Sequence, residues 1–237
     1  MKKMIIVFGL TLALLVTGIG LASSGSTSIS PDEAMQKLMD GNKRYVESKF
    51  TNGLRSDTAS RKALAHAQKP YAIILSCSDS RVPPEIIFDM GLGEIFVIRV
   101  AGNVPDPVVL GSIEYAAEHL GSPLVMVLGH ERCGAVKAAV EAKGKSTGSK
   151  NIDAIVKIVD ASVNAATKDC EACKADPKCA KSKTGEFVEC LVDANAKRIA
   201  DSLTKQSKIL KHLAEENKIK IVAAKYDLDD GLVTLFK

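Results

Sequence analysis

Hydrophobic residues along this chain follow two interleaved patterns, short unbroken runs and helix-spaced repeats. "YAIILSC" (71–77) is an almost continuous apolar run, the pattern of a strand buried on both faces. "EIFVIRVAG" (94–102), "PLVMVLGH" (123–130) and "KIKIVAAKYDL" (218–228) repeat it. "DDG" and "LVTLF" follow the fourth run and predict a hairpin at a sheet edge. Between the runs the spacing becomes helical. Ser30-Pro31-Asp32-Glu33 offers an N-cap, a first-turn proline and the acidic half of a capping box, predicting a helix to about Phe50. Asp106-Pro107 opens a helix with Leu110, Ile113, Ala117 and Leu120 on one face, and Gly121 ends it. "CGAVKAAVEAKG" predicts a helix directly behind the third run, and Ile152, Ile155, Val156, Val159 and Val163 mark another. A single long helix is expected over about 186–217.

Alternating strands and helices predict an α/β fold: a mostly parallel central sheet of four main strands plus an edge hairpin strand, flanked by helices, with an N-terminal helical arm. One domain over 31–237 is expected, with a Cys-rich insertion at about 145–190. Such sheets collect chemistry at the carboxyl ends of their strands, near a switch in strand order.

The first thirty residues carry a different pattern. "MKK" and the long apolar stretch after it, with small residues up to Ala22, read as an export signal (1–22). "SSGSTSIS" (23–30) then reads as a flexible spacer. The apolar stretch is long for a signal, so an uncleaved membrane anchor is the alternative. The predicted location is therefore periplasmic or otherwise exported. Net charge is +4, of which Lys2 and Lys3 belong to the signal, and aromatic residues are 4% of the chain. No basic stripe is interleaved with aromatics, which argues against nucleic acid as a partner.

Export changes how the six cysteines are read, because outside the cytoplasm thiols are usually paired or metal-bound. Cys77 ends the first run, His130 ends the third, and Cys133 lies three residues further on at the start of a predicted helix. Two thiolates and an imidazole are a zinc set, and catalytic zinc keeps a fourth position open. A helix N-terminus also favours the thiolate form of Cys133. Asp79, two residues from Cys77, could itself take the fourth position and close the site. Arg81 offers Asp79 a charge-assisted, bidentate alternative that reopens it. His66, His119 and His212 lie on predicted helices and read as surface or packing residues.

"CSDSRV" followed by "GHERCGAV" resembles the β-class carbonic anhydrases, and so do "AQKPYAIILSCSDSRVPPE", "GLGEIFVIRVAGN" and "YDLDDG". The resemblance covers roughly residues 31–144 and 190–237. It implies Zn2+ on Cys77, His130 and Cys133, one ion per subunit, with Asp79 and Arg81 as a switching pair and Asp79 on the metal only in the closed state. It also implies that Gln68 reaches a neighbouring subunit's site to bind substrate, and that the Gly134 amide faces the pocket. The implied assembly is a homodimer or dimer of dimers, and the implied reaction is reversible hydration of carbon dioxide to bicarbonate. Some relatives bind inhibitory bicarbonate through a tryptophan, and this chain has none. Hydrolysis of CS2 or COS on the same fold, and non-catalytic zinc or bicarbonate binding, are the alternatives.

Cys170, Cys173, Cys179 and Cys190 lie where the resemblance says nothing. Two disulfides stapling a polar loop with few apolar contacts is the reading here. A second, structural zinc site and a redox-active C-x-x-C are its alternatives. A dithiol protein built around this insertion is the corresponding rival function.

Overall fold

Residues 29–173 and 186–236 are described by the computed structural model. The predicted signal, most of the spacer, Cys179 and the Cys173 side chain fall outside the described residues. Helix α1 (Pro31–Val46) starts at the predicted capping box: Ser30 Oγ accepts the Glu33 N–H at 3.2 Å, and Glu33 accepts the Ser30 N–H at 2.7 Å. The chain continues through α2 (Thr58–Ala63), β1 (Ala72–Ser76), α3 (Pro84–Ile87), β2 (Ile95–Arg99) and α4 (Pro107–Glu118). Then follow β3 (Leu124–His130), α5 (Gly134–Ala142), α6 (Lys150–Cys173), α7 (Glu186–Gln206), α8 (Lys208–Glu215), β4 (Lys220–Tyr226) and β5 (Val233–Leu235).

The sheet order is β2-β1-β3-β4-β5, with the first four strands parallel and β5 antiparallel to β4. This is the predicted sheet, with its antiparallel edge strand. Successive side chains point to opposite faces, so β1 and β3 feed two cores. Ile74, Met126 and Leu128 pack with α1, α3, α5 and α6 on one side. Ile73, Leu75, Val125 and Val127 pack with α4 and α8 on the other, and α7 contributes to both. β1 first pairs with β2, and the chain then returns to β1's other side as β3. The switch in strand order therefore falls between β1 and β3.

Four expectations need correction. The apolar run at β2 predicts burial on both faces, but β2 is an edge strand whose apolar residues are only half-buried. The helix expected over 186–217 breaks at Ser207, which takes an extended conformation and caps α8 by accepting the Leu210 N–H at 3.1 Å. The apolar spacing continues across that break, which is why the pattern does not show it. Cys170 and Cys190 do not lie in a polar loop with few apolar contacts but on helices α6 and α7, and Cys170 is buried in the core with Val156, Val159 and Val163 of α6. The polar stretch between those helices, 174–185, lies outside the described residues. Ile152 alone of its predicted face is half exposed.

Cys170 of α6 and Cys190 of α7 are joined by a disulfide. This bond removes the four-thiolate zinc reading, and Cys170 pairs with Cys190, not with Cys173 of the C-x-x-C. Buried Asn42 ties α1 to the C-terminal hairpin. Its Nδ2 donates to Gly231 O at 2.8 Å, and its Oδ1 accepts the Val233 N–H at 2.8 Å. Among the described residues no helix is long and apolar enough to cross a membrane.

Candidate metal centre

Register brings the predicted ligands together. Ser76 pairs with Leu128, so Cys77 emerges from the end of β1 beside Gly129, with His130, the last residue of β3, one step on. The turn after β3 then presents Cys133 as the N-cap of α5. The two sulfurs and a His130 ring nitrogen lie within 4.8 Å of one another, all buried. Ligands at 2.0–2.3 Å around a tetrahedral ion sit about 3.5 Å apart, close to this spacing.

The donor set fits a metal on three further grounds. His130 Nδ1 lies 2.8 Å from Glu131 O, which assigns it the N–H and leaves Nε2 as the lone-pair nitrogen. Nε2 is buried and has no hydrogen-bond partner, an orphan position that a cation would satisfy. Cys77 and Cys133 are both unpaired cysteines. The hydrogen bond from Cys133 lowers the Cys77 thiol against the opposing effect of burial, with the Gly102 and Asp79 amides assisting. Cys133 is pushed up by the same shared proton and by its own burial. Two buried sulfurs competing for one proton are poised to exchange it for a cation.

Asp79 is held away from the ligands by the predicted partner. Its Oδ1 accepts from Arg81 N at 3.0 Å and Nε at 2.9 Å, and its Oδ2 accepts from Nη2 at 2.7 Å. The Arg81 hydrogen bonds hold the carboxyl well below the usual carboxylate range despite partial burial. Gly134 opens α5, is exposed, and has nothing within 4 Å of where a Cβ would stand, so its amide lies in open space beside Cys133. A second acidic group, Glu131, Asp227 and Asp229, is spanned by a cation already present: Arg132 binds Asp229 at 3.0 and 3.1 Å and lies 3.5 Å from Glu131.

Comparison with known proteins decides what this centre belongs to. A family model described as "Carbonic anhydrase" matches residues 72–233. "Carbonic anhydrase 2" of Mycobacterium tuberculosis is 39% identical over 207 residues, 87% of this chain and 93% of that protein. The chain belongs to the β-class carbonic anhydrases. A carbonic anhydrase of Mycolicibacterium smegmatis is 49% identical over 113 residues, 48% of this chain and 54% of its own length. The fold agrees with solved structures. The β-carbonic anhydrase CcaA superposes with a TM-score of 0.67 at 22% identity, covering 86% of this chain and 95% of its own. CafA of Aspergillus fumigatus gives 0.64 at 22% identity, covering 87% and 90%. As a carbonic anhydrase the chain is a carbonate dehydratase.

Around the carbonic anhydrase centre stand residues that no sequence motif singles out. Arg99, at the end of β2, donates through Nε to Cys77 O at 2.9 Å and through Nη2 to Asp79 O, clamping the segment between the ligand and the switching pair. Its position at the carboxyl end of an apolar run is the one available signal. Gly102, at φ +71°, donates its N–H to Cys77 Sγ at 3.4 Å, and a Cβ there would stand 2.9 Å from both Ala135 and Val159. From α7, Glu189 accepts from the Arg132 N–H of the ligand-bearing turn and Asn195 donates to Gly102 O after β2. Gln68 is exposed on the segment before β1. Its own centre lies at the far end of that strand, about 16 Å away at 3.3 Å per residue, so the structure does not bring Gln68 to Cys77 of the same chain. His66, His119 and His212 are exposed, as expected, although His66 lies just beyond α2 and not within it.

Proposed function

We propose that this carbonic anhydrase is an exported zinc enzyme, working as a homodimer or dimer of dimers, that interconverts carbon dioxide and bicarbonate at Cys77, His130 and Cys133. The observation that carries the reading is the buried, unpartnered Nε2 of His130 in a cluster with two buried, unpaired cysteine sulfurs. Bound there, zinc would act as a Lewis acid that makes water nucleophilic near neutral pH, less strongly than in a three-imidazole site because two thiolates donate more charge.

The chain's own residues do the rest. Arg81 keeps Asp79 off the fourth ligand position by engaging both carboxylate oxygens. Asp79 stays ionised and able to accept a hydrogen bond from the attacking oxygen, leaving that oxygen's lone pair for the carbon of carbon dioxide. Gly134 offers an amide at the N-terminus of α5, suited to a product that has become anionic. Water and carbon dioxide give bicarbonate and one proton, which must leave to buffer.

Two features support assembly. Leu54 and Leu92, on segments joined by the Leu92 N–H to Arg55 O hydrogen bond, are exposed near the half-buried edge strand β2, apolar positions suited to cover by a second chain. Gln68 can serve a catalytic centre only on another chain. Among the structural neighbours, two β-carbonic anhydrases of Sordaria macrospora are tetrameric. Export rests on the "MKK" and apolar pattern of residues 1–22 and on the Cys170–Cys190 disulfide, a bond of oxidising compartments.

Stopped-flow carbon dioxide hydration, run beside elemental analysis of the same preparation, tests the reading. One zinc per chain with rapid hydration is expected. Full zinc occupancy without hydration from pH 6 to pH 9 would refute the catalytic assignment, and absence of stoichiometric metal would refute the ligand set.

A further inference from the structure

The turn carrying two of the three ligands is held from outside by β4 and Asp229 and, through its backbone, by helix α7. Arg132, between His130 and Cys133, takes φ +53°, a left-handed conformation that side chains with a Cβ leave unless their surroundings hold them there. Its N–H donates to Glu189 Oε1 at 2.8 Å. Glu189 belongs to α7, 57 residues away in sequence, and is 3% exposed. Further along α7, Asn195 Nδ2 donates to Gly102 O at 3.1 Å, and Gly102 is the residue whose N–H meets Cys77 Sγ. One helix thus contacts the backbone of the His130–Cys133 turn and of the Gly102 turn that donates to the third ligand.

The disulfide bears directly on that helix. Cys190 is the residue after Glu189, and its partner Cys170 is 1% exposed in the core beneath α6. The covalent link stops α7 from sliding along α6 beside the carboxylate that holds the turn. We propose that Glu189 is a positioning residue for the metal centre, setting the spacing of His130 and Cys133 by holding the Arg132 turn, and that the Cys170–Cys190 disulfide keeps it in place. This inference rests on the zinc reading of the centre. Zinc sites tolerate errors of about 0.2 Å in ligand distance, and loss of an outer partner typically weakens metal binding about 10–100-fold.

The test measures zinc affinity by chelator competition, with the melting temperature of each metal-free protein as the second readout. Glu189→Gln keeps a carbonyl acceptor at the same reach. Glu189→Met fills the volume and accepts nothing from the Arg132 N–H. Glu189→Met should bind zinc at least about tenfold more weakly with little change in metal-free melting temperature, whereas Glu189→Gln should retain most of the affinity. Cys170→Ala/Cys190→Ala should also weaken zinc binding, and Glu189→Met in that background should add less than it does alone, as coupled groups do. Wild-type affinity in Glu189→Met overturns the proposal, as does a loss shared equally by Glu189→Gln. If Glu189→Met does not fold, unchanged affinity in the disulfide variant overturns it instead. A wild-type protein without stoichiometric zinc sinks the metal reading itself, a result distinct from each of these.

Discussion

Asp79 has two possible partners, and Arg81 holds it by three hydrogen bonds within a span of three residues. Arg81→Ala should keep zinc and lose hydration activity by about two orders of magnitude, because the freed carboxylate closes the centre; an active Arg81→Ala enzyme, measured by stopped flow, would remove Asp79's switching role. Asp89 makes a separate residue-scale prediction. Burial pushes its carboxyl up, but Arg44 at 2.6 Å, the Thr51 hydroxyl and the Thr51 and Asn52 amides outweigh that and hold it at about 2. A lowered carboxyl stabilises the fold fully above its ordinary value near 4, and the contribution disappears as pH falls toward 2. Asp89→Asn should therefore cost about 2 kcal/mol at pH 7 and little at pH 2, compared by urea unfolding. Asn also tolerates the φ of +49° found there, so a penalty independent of pH would mean that charge is not the cause. Cys77, Asp79, Arg81, His130 and Cys133 are legible in sequence because their chemistry is packed into two short motifs. Arg99, Glu189 and Asn195 are not, since their partners lie 22, 57 and 93 residues away.

The strands and most helices can be read from the chain because each expresses a local rule. β1 and β3 are buried along their whole length, so their runs are apolar without alternation, and Ser30 and Asp106 cap as their neighbours require. The break at Ser207 and the packing of α6 and α7 are decided by tertiary contacts that periodicity does not carry. Gly129 shows how tightly those contacts bind an element. A Cβ there would stand 3.2 Å from Ala196 Cβ and 3.7 Å from Val192 Cγ1, so α7 lies almost directly on the β3 backbone beside the first metal-ligand turn. Gly129→Ala should push α7 outward, destabilise the protein by about 1–3 kcal/mol and weaken zinc binding with it. Thermal melts with an unshifted midpoint would show that α7 has room to spare.

At the scale of the whole molecule, the centre and Gln68 lie beyond opposite ends of β1, so on the proposed reading a second chain completes the site. Gln68→Ala should retain zinc yet hydrate carbon dioxide poorly, and Cys77→Ser should lack both metal and activity. Mixing the two after dissociation and reassembly should restore activity, because one site of each mixed dimer then combines an intact metal centre with an intact Gln68. Mixtures no more active than the sum of their parts would place Gln68 outside the neighbour's site.

The stitch made by Asn42 carries a consequence for how the protein is made. Its side chain bonds residues 189 and 191 positions later in the chain, and closing a loop of that length is slow. Helix α1 is made first and can already dock, because Asn42 also donates to Ile87 O at 3.2 Å. The hairpin, made last, then locks it, so a chain shortened at Asp230 would keep the first helix in place by one of Asn42's bonds and lose the other two.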